Sequence, residues 1–176
     1  MKLIGITGKA RSGKDTAAEH IINEYEYEKY SFADPLKRAC SEMFGIPLGD
    51  FYNDNLKDEV NEFWGISPRR MAQLLGTEGG RKLFREDLWI KRAELYIRGQ
   101  DKIIIPDVRF ENEANFIRAN GGALIHIKRK DLQSVEQHIS EAGVLVCDND
   151  YTVHNYGSVY DLHFALDAVI HDAGLS

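Results

Sequence analysis

Gly8-Lys9-Ala10-Arg11-Ser12-Gly13-Lys14-Asp15-Thr16 follows directly on Lys2-Leu3-Ile4-Gly5-Ile6-Thr7. The apolar run reads as a short buried strand, and Lys14 to Glu24 reads as a helix. Between them, Gly8 and Gly13 stand at the spacing Gly-x4-Gly-Lys. That spacing lets backbone N–H groups curl around phosphate oxygens, with Lys14 reaching the β/γ end of a polyphosphate. The helix starting near Gly13 adds the positive end of its dipole. Strand, glycine loop and helix in this order predict an α/β fold built around a nucleotide phosphate.

The motif is a Walker A P-loop with one departure. The standard loop has Ser or Thr after the lysine, giving a hydroxyl to Mg²⁺. Here Asp15 follows the lysine, and the hydroxyl comes one residue later, at Thr16. The metal arrangement of the standard loop therefore does not transfer.

Composition narrows the rest. A chain of 176 residues with 43% hydrophobic and 28% charged residues suits one globular domain with an ample core. The net charge of −6 argues against a basic nucleic-acid-binding surface, although arginines still allow a local anion pocket. Cys40 and Cys147 lack metal-type spacing and read as free thiols of a reducing compartment, with a single bridge left open. The N-terminus opens on a strand rather than a signal peptide, and no apolar run reaches membrane-spanning length. The expectation is a cytoplasmic protein with neither membrane nor nucleic-acid partner; a homodimer is left open.

Along the chain, Lys29 to Ala33 suggests a second strand. Asp34-Pro35 is a helix entry, with Asp34 as cap and Leu36 to Phe44 helical. Residues 45–66 read as a partly irregular insertion. Ser67-Pro68 opens another helix, in which Met71, Leu74 and Leu75 form a buried stripe. Gly76-Thr77-Glu78-Gly79-Gly80 interrupts it. Further helices are expected at Asp87 to Arg98, Glu111 to Asn120, and from Ser158 onward. The last would carry Val159, Leu162, Leu166, Val169 and Ile170 on one face. Strands are expected at Lys102 to Asp107, Ala123 to Ile127 and Tyr151 to Asn155. Apolar strands alternating with helices predict a mostly parallel sheet covered on both sides, with ligands at the carboxyl ends of its strands.

That rule gathers the polar residues. Asp107 ends the Ile103-Ile104-Ile105 strand where a Walker B carboxylate would stand to hold Mg²⁺; the alternative is a turn or helix cap. Arg109 would clamp a substrate phosphate at the same edge, or stand idle at the surface. Arg69, Arg70 and Arg81 flank the 67–75 helix and suit an anion. Gln73, on the face of Arg70, would read a base edge, unless this is a solvated basic face. Lys37 would touch an acceptor phosphate. Trp89 would stack on a base or belong to the core. Lys128-Arg129-Lys130 is either a solvated tip or the opening of a lid that brings Arg129 onto a transferred phosphate. His138-Ile139-Ser140-Glu141 would follow in that lid. The six histidines lack zinc spacing, and no order of Ser, His and Asp suggests a hydrolase triad.

Taken in order, Gly8 to Thr16, Phe32-Ala-Asp-Pro-Leu-Lys37, Gln73-Leu-Leu-Gly-Thr-Glu78 with Arg81, Asp87-Leu-Trp89 and Ile105-Pro-Asp-Val-Arg-Phe-Glu-Asn-Glu113 resemble the deoxynucleoside monophosphate kinases of tailed bacteriophages. Gly121-Gly122, His138-x-Ser-Glu141 and Asn155-x-Gly157 fit as well, so the resemblance spans nearly the whole chain. It implies a P-loop kinase fold over 1–176, with an acceptor-binding insertion at about 34–98 and a small lid at about 128–142. It implies transfer of the γ-phosphate of ATP, with Mg²⁺, to a deoxynucleoside 5′-monophosphate. Ala10, Arg11, Ser12, Gly13, Lys14, Asp15 and Thr16 would then bind ATP, and Asp15, Thr16 and Asp107 the metal. Arg11, Lys37, Arg69, Arg70, Gln73, Arg81 and Trp89 would bind the acceptor. Lys14, Asp15, Arg109 and Arg129 would act in catalysis.

Two other classes share the Gly-Lys-Asp loop or the phosphate site. One is a kinase of small phosphorylated metabolites, of the phosphomevalonate type. The other is a nucleotide-binding module without activity. Acidic charge disfavours a third, a nucleic-acid 5′-end kinase.

Overall fold

The computed structural model describes residues 1–130 and 143–176. By their contacts these fall into two compact units. One joins Met1–Tyr30 to Tyr96–Ser176, and the other is Ser31–Leu95.

The first unit is a five-stranded sheet in the order β2-β3-β1-β4-β5, with every pairing parallel. Its strands are β1 (Lys2–Thr7), β2 (Glu28–Lys29), β3 (Lys102–Ile105), β4 (Ala123–Lys128) and β5 (Tyr151–His154). β1 lies at the centre, with Ile4 paired to Ile104 on one side and Gly5 to Leu124 on the other. Alternation along each strand divides the apolar side chains between two faces. Ile4, Ile6, Ile104, Ile125, Ile127 and Val153 share one core with Ala17, Ala18 and Ile21 of α1 (Lys14–Tyr25). Leu162, Leu166 and Ile170 of α6 (Val159–Asp172) complete that core. On the opposite face, α5 (Glu111–Ala119) comes so near β1 that a Cβ on Gly5 would lie 2.9 Å from Cγ1 of Ile117. The expected parallel sheet with helices on both sides is what the chain forms.

α6 opens as the sequence suggests. Ser158 Oγ accepts from the Asp161 N–H, and Asp161 Oδ2 accepts from the Ser158 N–H at 2.8 Å, a reciprocal cap. Donation from the Ser158 hydroxyl at 2.7 Å, and from its N–H, holds the Asp161 carboxyl below its ordinary range. Val159 departs from its expected place on the buried stripe. It is 57% exposed, because the first helical residue precedes the turn that docks through Leu162. Arg118 of α5, His126 of β4 and Asp150 ahead of β5 form a hydrogen-bonded network in which His126 and the Asp150 carboxylate are buried.

The second unit contains α2 (Ala33–Phe44), two short 3-10 turns (Leu48–Phe51 and Leu56–Asp58), α3 (Pro68–Gln73), a π-helical stretch (Leu74–Phe84) and most of α4 (Leu88–Ile97). Cys40, Ile46, Phe51 and Met71 form its core, with Leu36, Phe44 and Leu75 packed against them.

Three expectations change here. β2 has only two residues, with one more ladder bond from the Tyr30 N–H to the Ile104 carbonyl at 3.0 Å. The chain then turns, and α2 starts at Ala33. Asp34 is therefore inside the first turn and is not the cap. Pro35 allows the earlier start, because the first turn needs no N–H partner there. Asp34 instead accepts from the Tyr52 hydroxyl at 2.7 Å.

Ser67 caps α3 as expected, its hydroxyl accepting from the Arg70 N–H. Gly76 to Gly80, however, does not interrupt the helix. The chain continues as the wider π-helix, and the glycines let neighbours reach its backbone. A Cβ on Gly76 would lie 2.9 Å from Cδ2 of Leu36, and one on Gly80 2.8 Å from Cζ2 of Trp89.

Both cysteines are free: Cys40 is buried and Cys147 is exposed. Among the described residues no helix is long and apolar enough to cross a membrane.

Candidate functional site: a phosphate cradle at the sheet edge

Parallel strands bring all their carboxyl ends to one edge, and four of the connections leaving that edge carry polar groups. They are Gly8–Thr16 after β1, Asp107 and Arg109 after β3, Arg129 and Lys130 after β4, and Asn155–Ser158 after β5.

The loop after β1 is tightly wound. The Ser12 N–H donates to the Lys9 carbonyl at 3.2 Å, and the Ala17 N–H to the Gly13 carbonyl at 2.9 Å as α1 begins. Gly8 and Gly13 have φ of 151° and 100°, a region that side chains rarely tolerate. Space excludes a side chain as well. A Cβ on Gly8 would lie 2.5 Å from the Ile127 carbonyl oxygen, and one on Gly13 2.4 Å from Nδ2 of Asn155. Arg11 has a positive φ of 62° without being glycine, so the turn holds it in a strained conformation.

Two details suit a polyphosphate. Lys14 Nζ donates to the Gly8 and Lys9 carbonyls, each at 2.7 Å, which parks its ammonium at the mouth of the loop. Ser12 Oγ is buried and meets no hydrogen-bond partner among the described residues. An orphaned hydroxyl inside a glycine cradle is costly unless a ligand oxygen completes it. These residues fit a nucleotide phosphate tail.

Of the other residues singled out in this unit, Asp15 is exposed at the first turn of α1 and Thr16 half-buried. Asp107 is half-buried after β3, Arg109 is exposed, and Val108 between them is anchored through its N–H to the Ile6 carbonyl at 3.1 Å. Arg129 is exposed just past β4. The sheet thus brings Lys14, Asp15, Thr16, Asp107, Arg109 and Arg129 to one edge. The reading of His138 to Glu141, and of the lid beyond residue 130, lies outside the described residues.

In the second unit Lys37 Nζ stands 3.8 Å from the centre of the Tyr52 ring. Arg69 forms a two-pronged ion pair with Asp58. Arg70 Nη1 reaches Gln73 Oε1 at 3.5 Å, joining the two residues expected on one face. Arg81 donates to the Glu86 carbonyl at 3.0 Å. Trp89 donates from Nε1 to the Gly76 carbonyl at 3.0 Å, and its ring lies over Gly80.

Three residues gained a place only from the structure. Glu113, 3% exposed, accepts from the Arg109 and Phe110 N–H groups at 2.8 and 3.1 Å, fixing the bend after Asp107. Tyr52 joins Asp34 to Lys37. Asn155 touches the phosphate loop itself. For Asn155 the signal was available, since it directly follows a strand; Tyr52 lies in irregular chain without a periodic signal.

Among the described residues no three His, Cys, Asp or Glu side chains are grouped to hold a metal ion. A Mg²⁺ carried on phosphates needs only one or two carboxylates, and Asp15, Thr16 and Asp107 offer such oxygens.

Comparison with known proteins agrees with this geometry. The profile of the family described as deoxynucleotide monophosphate kinase matches residues 2–49 and 50–165. A deoxynucleotide monophosphate kinase homologue of Acanthamoeba polyphaga mimivirus is 35% identical over 162 residues, covering 80% of this chain and 81% of that protein. The deoxynucleotide monophosphate kinase of Escherichia phage RB69 is 31% identical, covering 97% of this chain and 100% of that one. That alignment runs over 245 positions against 176 residues here, so the phage protein carries segments this chain lacks. A gluconokinase from Sinorhizobium meliloti shares the fold at a TM-score of 0.51, with 12% identity over 98% of this chain and 94% of that one. The chain belongs to the deoxynucleotide monophosphate kinase family.

Proposed function

We propose that this chain transfers the γ-phosphoryl group of ATP to the 5′-phosphate of a deoxynucleoside monophosphate, giving the diphosphate and ADP. The observation that carries this reading is the cradle from Gly8 to Lys14, with its excluded side chains and orphaned Ser12 hydroxyl. Membership of the family names the acceptor.

The acceptor phosphate oxygen is already a nucleophile, so the chain has no need of a strong general base. Its contribution is positioning and charge neutralisation. In this reading the backbone of Ala10 to Gly13 binds the phosphates of ATP, and Lys14 leaves its loop carbonyls to follow the β/γ oxygens. Asp15, Thr16 and Asp107 would hold Mg²⁺, which supplies further neutralisation on the phosphates when bound. Arg109 and Arg129 neutralise charge growing on the transferred group. Arg11, Lys37, Arg69, Arg70, Gln73, Arg81 and Trp89 bind the acceptor. In this reading the chain works in the cytoplasm with no nucleic-acid or membrane partner; the net charge of −6 argues against a basic nucleic-acid-binding surface.

An ADP-release assay with ATP-Mg²⁺ and each of dAMP, dGMP, dCMP, dTMP, AMP and GMP tests the reading, with Lys14→Ala as control. Turnover of one or more deoxynucleotides, lost in the control, is expected. ATP binding without turnover of any of them would sink the reading.

A further inference from the structure

Asn155 lies between β5 and α6, and nothing in the phosphate-loop motif calls for it. It makes two bonds at the sheet edge. Its N–H donates to the Lys128 carbonyl at 2.8 Å, which ties the end of β5 to the end of β4. Its side-chain Nδ2 donates to the Ser12 carbonyl at 2.9 Å, which ties the same point to the loop after β1. The partner is a carbonyl oxygen, so the amide must present its nitrogen there. One residue therefore joins three strand ends, by main chain to one and by side chain to another.

The bond acts on a particular peptide group. A trans peptide is planar, with its C=O and N–H pointing in opposite directions. Holding the Ser12 carbonyl toward Asn155 aims the Gly13 N–H the other way. Gly13 lies at the start of α1, where the helix N-terminus favours an anion. The hydrogen bond on the carbonyl also polarises that N–H, strengthening it as a donor. Gly13 is shaped to the same contact, since a Cβ there would lie 2.4 Å from Nδ2 of Asn155. Part of the requirement for glycine at this position comes from Asn155, not from the phosphate.

We propose that Asn155 is a positioning residue for ATP: its amide sets the plane of the Ser12–Gly13 peptide so that the Gly13 N–H is presented to the ATP phosphates. This rests on the assignment of the loop to ATP made above, and does not depend on which acceptor is used.

The test compares ATP-Mg²⁺ affinity by titration calorimetry in the unmutated protein, Asn155→Ala and Asn155→Asp. Loss of one such bond corresponds to about a tenfold rise in Kd for Asn155→Ala. Asn155→Asp is expected to weaken ATP more. Its carboxylate cannot donate to the Ser12 carbonyl, and it adds negative charge beside the phosphates. The KM for the deoxynucleoside monophosphate should stay within about twofold in both, and the nucleotide-free melting temperatures within a few degrees. A residue that only supported the fold would lower both melting temperatures and move both substrates together. ATP affinities within twofold of the unmutated protein in both variants would overturn the proposal. So would Asn155→Asp binding ATP better than Asn155→Ala.

Should neither variant fold, the unmutated protein still decides. The Asn155 side-chain amide resonances are expected to move on titration with ATP-Mg²⁺, and unmoved resonances would overturn the proposal. The two readings fail separately. Normal turnover with unchanged ATP affinity in the variants removes the role of Asn155 alone. No turnover of any deoxynucleotide, with ATP affinity still lost in the variants, removes the kinase assignment alone.

Discussion

Arg118 and Asp150 meet in a two-pronged ion pair, Nε to Oδ1 at 3.0 Å and Nη2 to Oδ2 at 2.7 Å, with the carboxylate side chain only 2% exposed. Burial by itself would raise the Asp150 pKa. Bonds from Arg118, the Cys147 N–H and His126 outweigh it and hold the group at about 2. A depressed carboxyl pKa adds stability above the unfolded value, near 3.9, and that stability is lost as pH falls through the folded value. Asp150→Asn is therefore expected to cost on the order of 2 kcal/mol at pH 7 and about half as much at pH 3. Denaturant unfolding of both proteins at the two pH values checks this; an equal deficit at each would refute it.

Gly8→Ala tests the cradle sterically. The added Cβ meets a backbone oxygen, that of Ile127, at 2.5 Å, and φ of 151° disfavours a side chain. Because a carbonyl in a sheet cannot swing aside, the cost should be about 2–3 kcal/mol, together with loss of ATP binding. Thermal melting with and without ATP reads both effects.

Lys14→Ala and Asp15→Ala should separate by what they need. Removing the lysine takes away charge where it develops, so kcat/KM should fall at least about a hundredfold. The bonds it donates to the Gly8 and Lys9 carbonyls can be taken over by water, so the melting temperature should hardly change. Asp15→Ala should instead raise the Mg²⁺ concentration giving half-maximal rate. An unchanged Mg²⁺ requirement would remove Asp15 from the metal site.

Neighbouring arginines in the second unit should differ in the same way. Asp58 already engages Arg69, whereas Arg70 reaches only as far as Gln73 in the contacts described above, at 3.5 Å. Arg70→Ala should raise the acceptor KM about tenfold. Arg69→Ala should have the smaller kinetic effect and cost at most about 1 kcal/mol, as a partly exposed pair. Steady-state kinetics with varied deoxynucleotide decides between them.

The phosphate loop and the three longer apolar strands were legible because their signals are local. Glycine spacing, runs such as Ile103-Ile104-Ile105, and the Ser67 and Ser158 caps need no knowledge of distant chain. What escaped was set by contacts far along the sequence. The π-helix depends on Trp89 and Leu36 packing onto Gly80 and Gly76, and glycines in a helical stretch otherwise read as a break. β2 is cut short where the chain turns into α2 at Ala33, although β3 runs on to Ile105. The Asn155 amide reaches Ser12 across 143 residues of sequence. Strand-end logic pointed to the right edge of the sheet, and only three-dimensional placement showed which side chain there touches the loop.

The contrast between the two thiols has a practical consequence. Burial pushes Cys40 up to about 11, out of reach of reagents that need a thiolate, while Cys147 is exposed. A maleimide fluorophore on the native protein should therefore label one point. That point is three residues from Asp150, whose carboxylate accepts from the Cys147 N–H at 2.9 Å. The natural sequence thus carries its own spectroscopic reporter beside the Arg118 pair, and nucleotide titrations could follow it without engineering a cysteine.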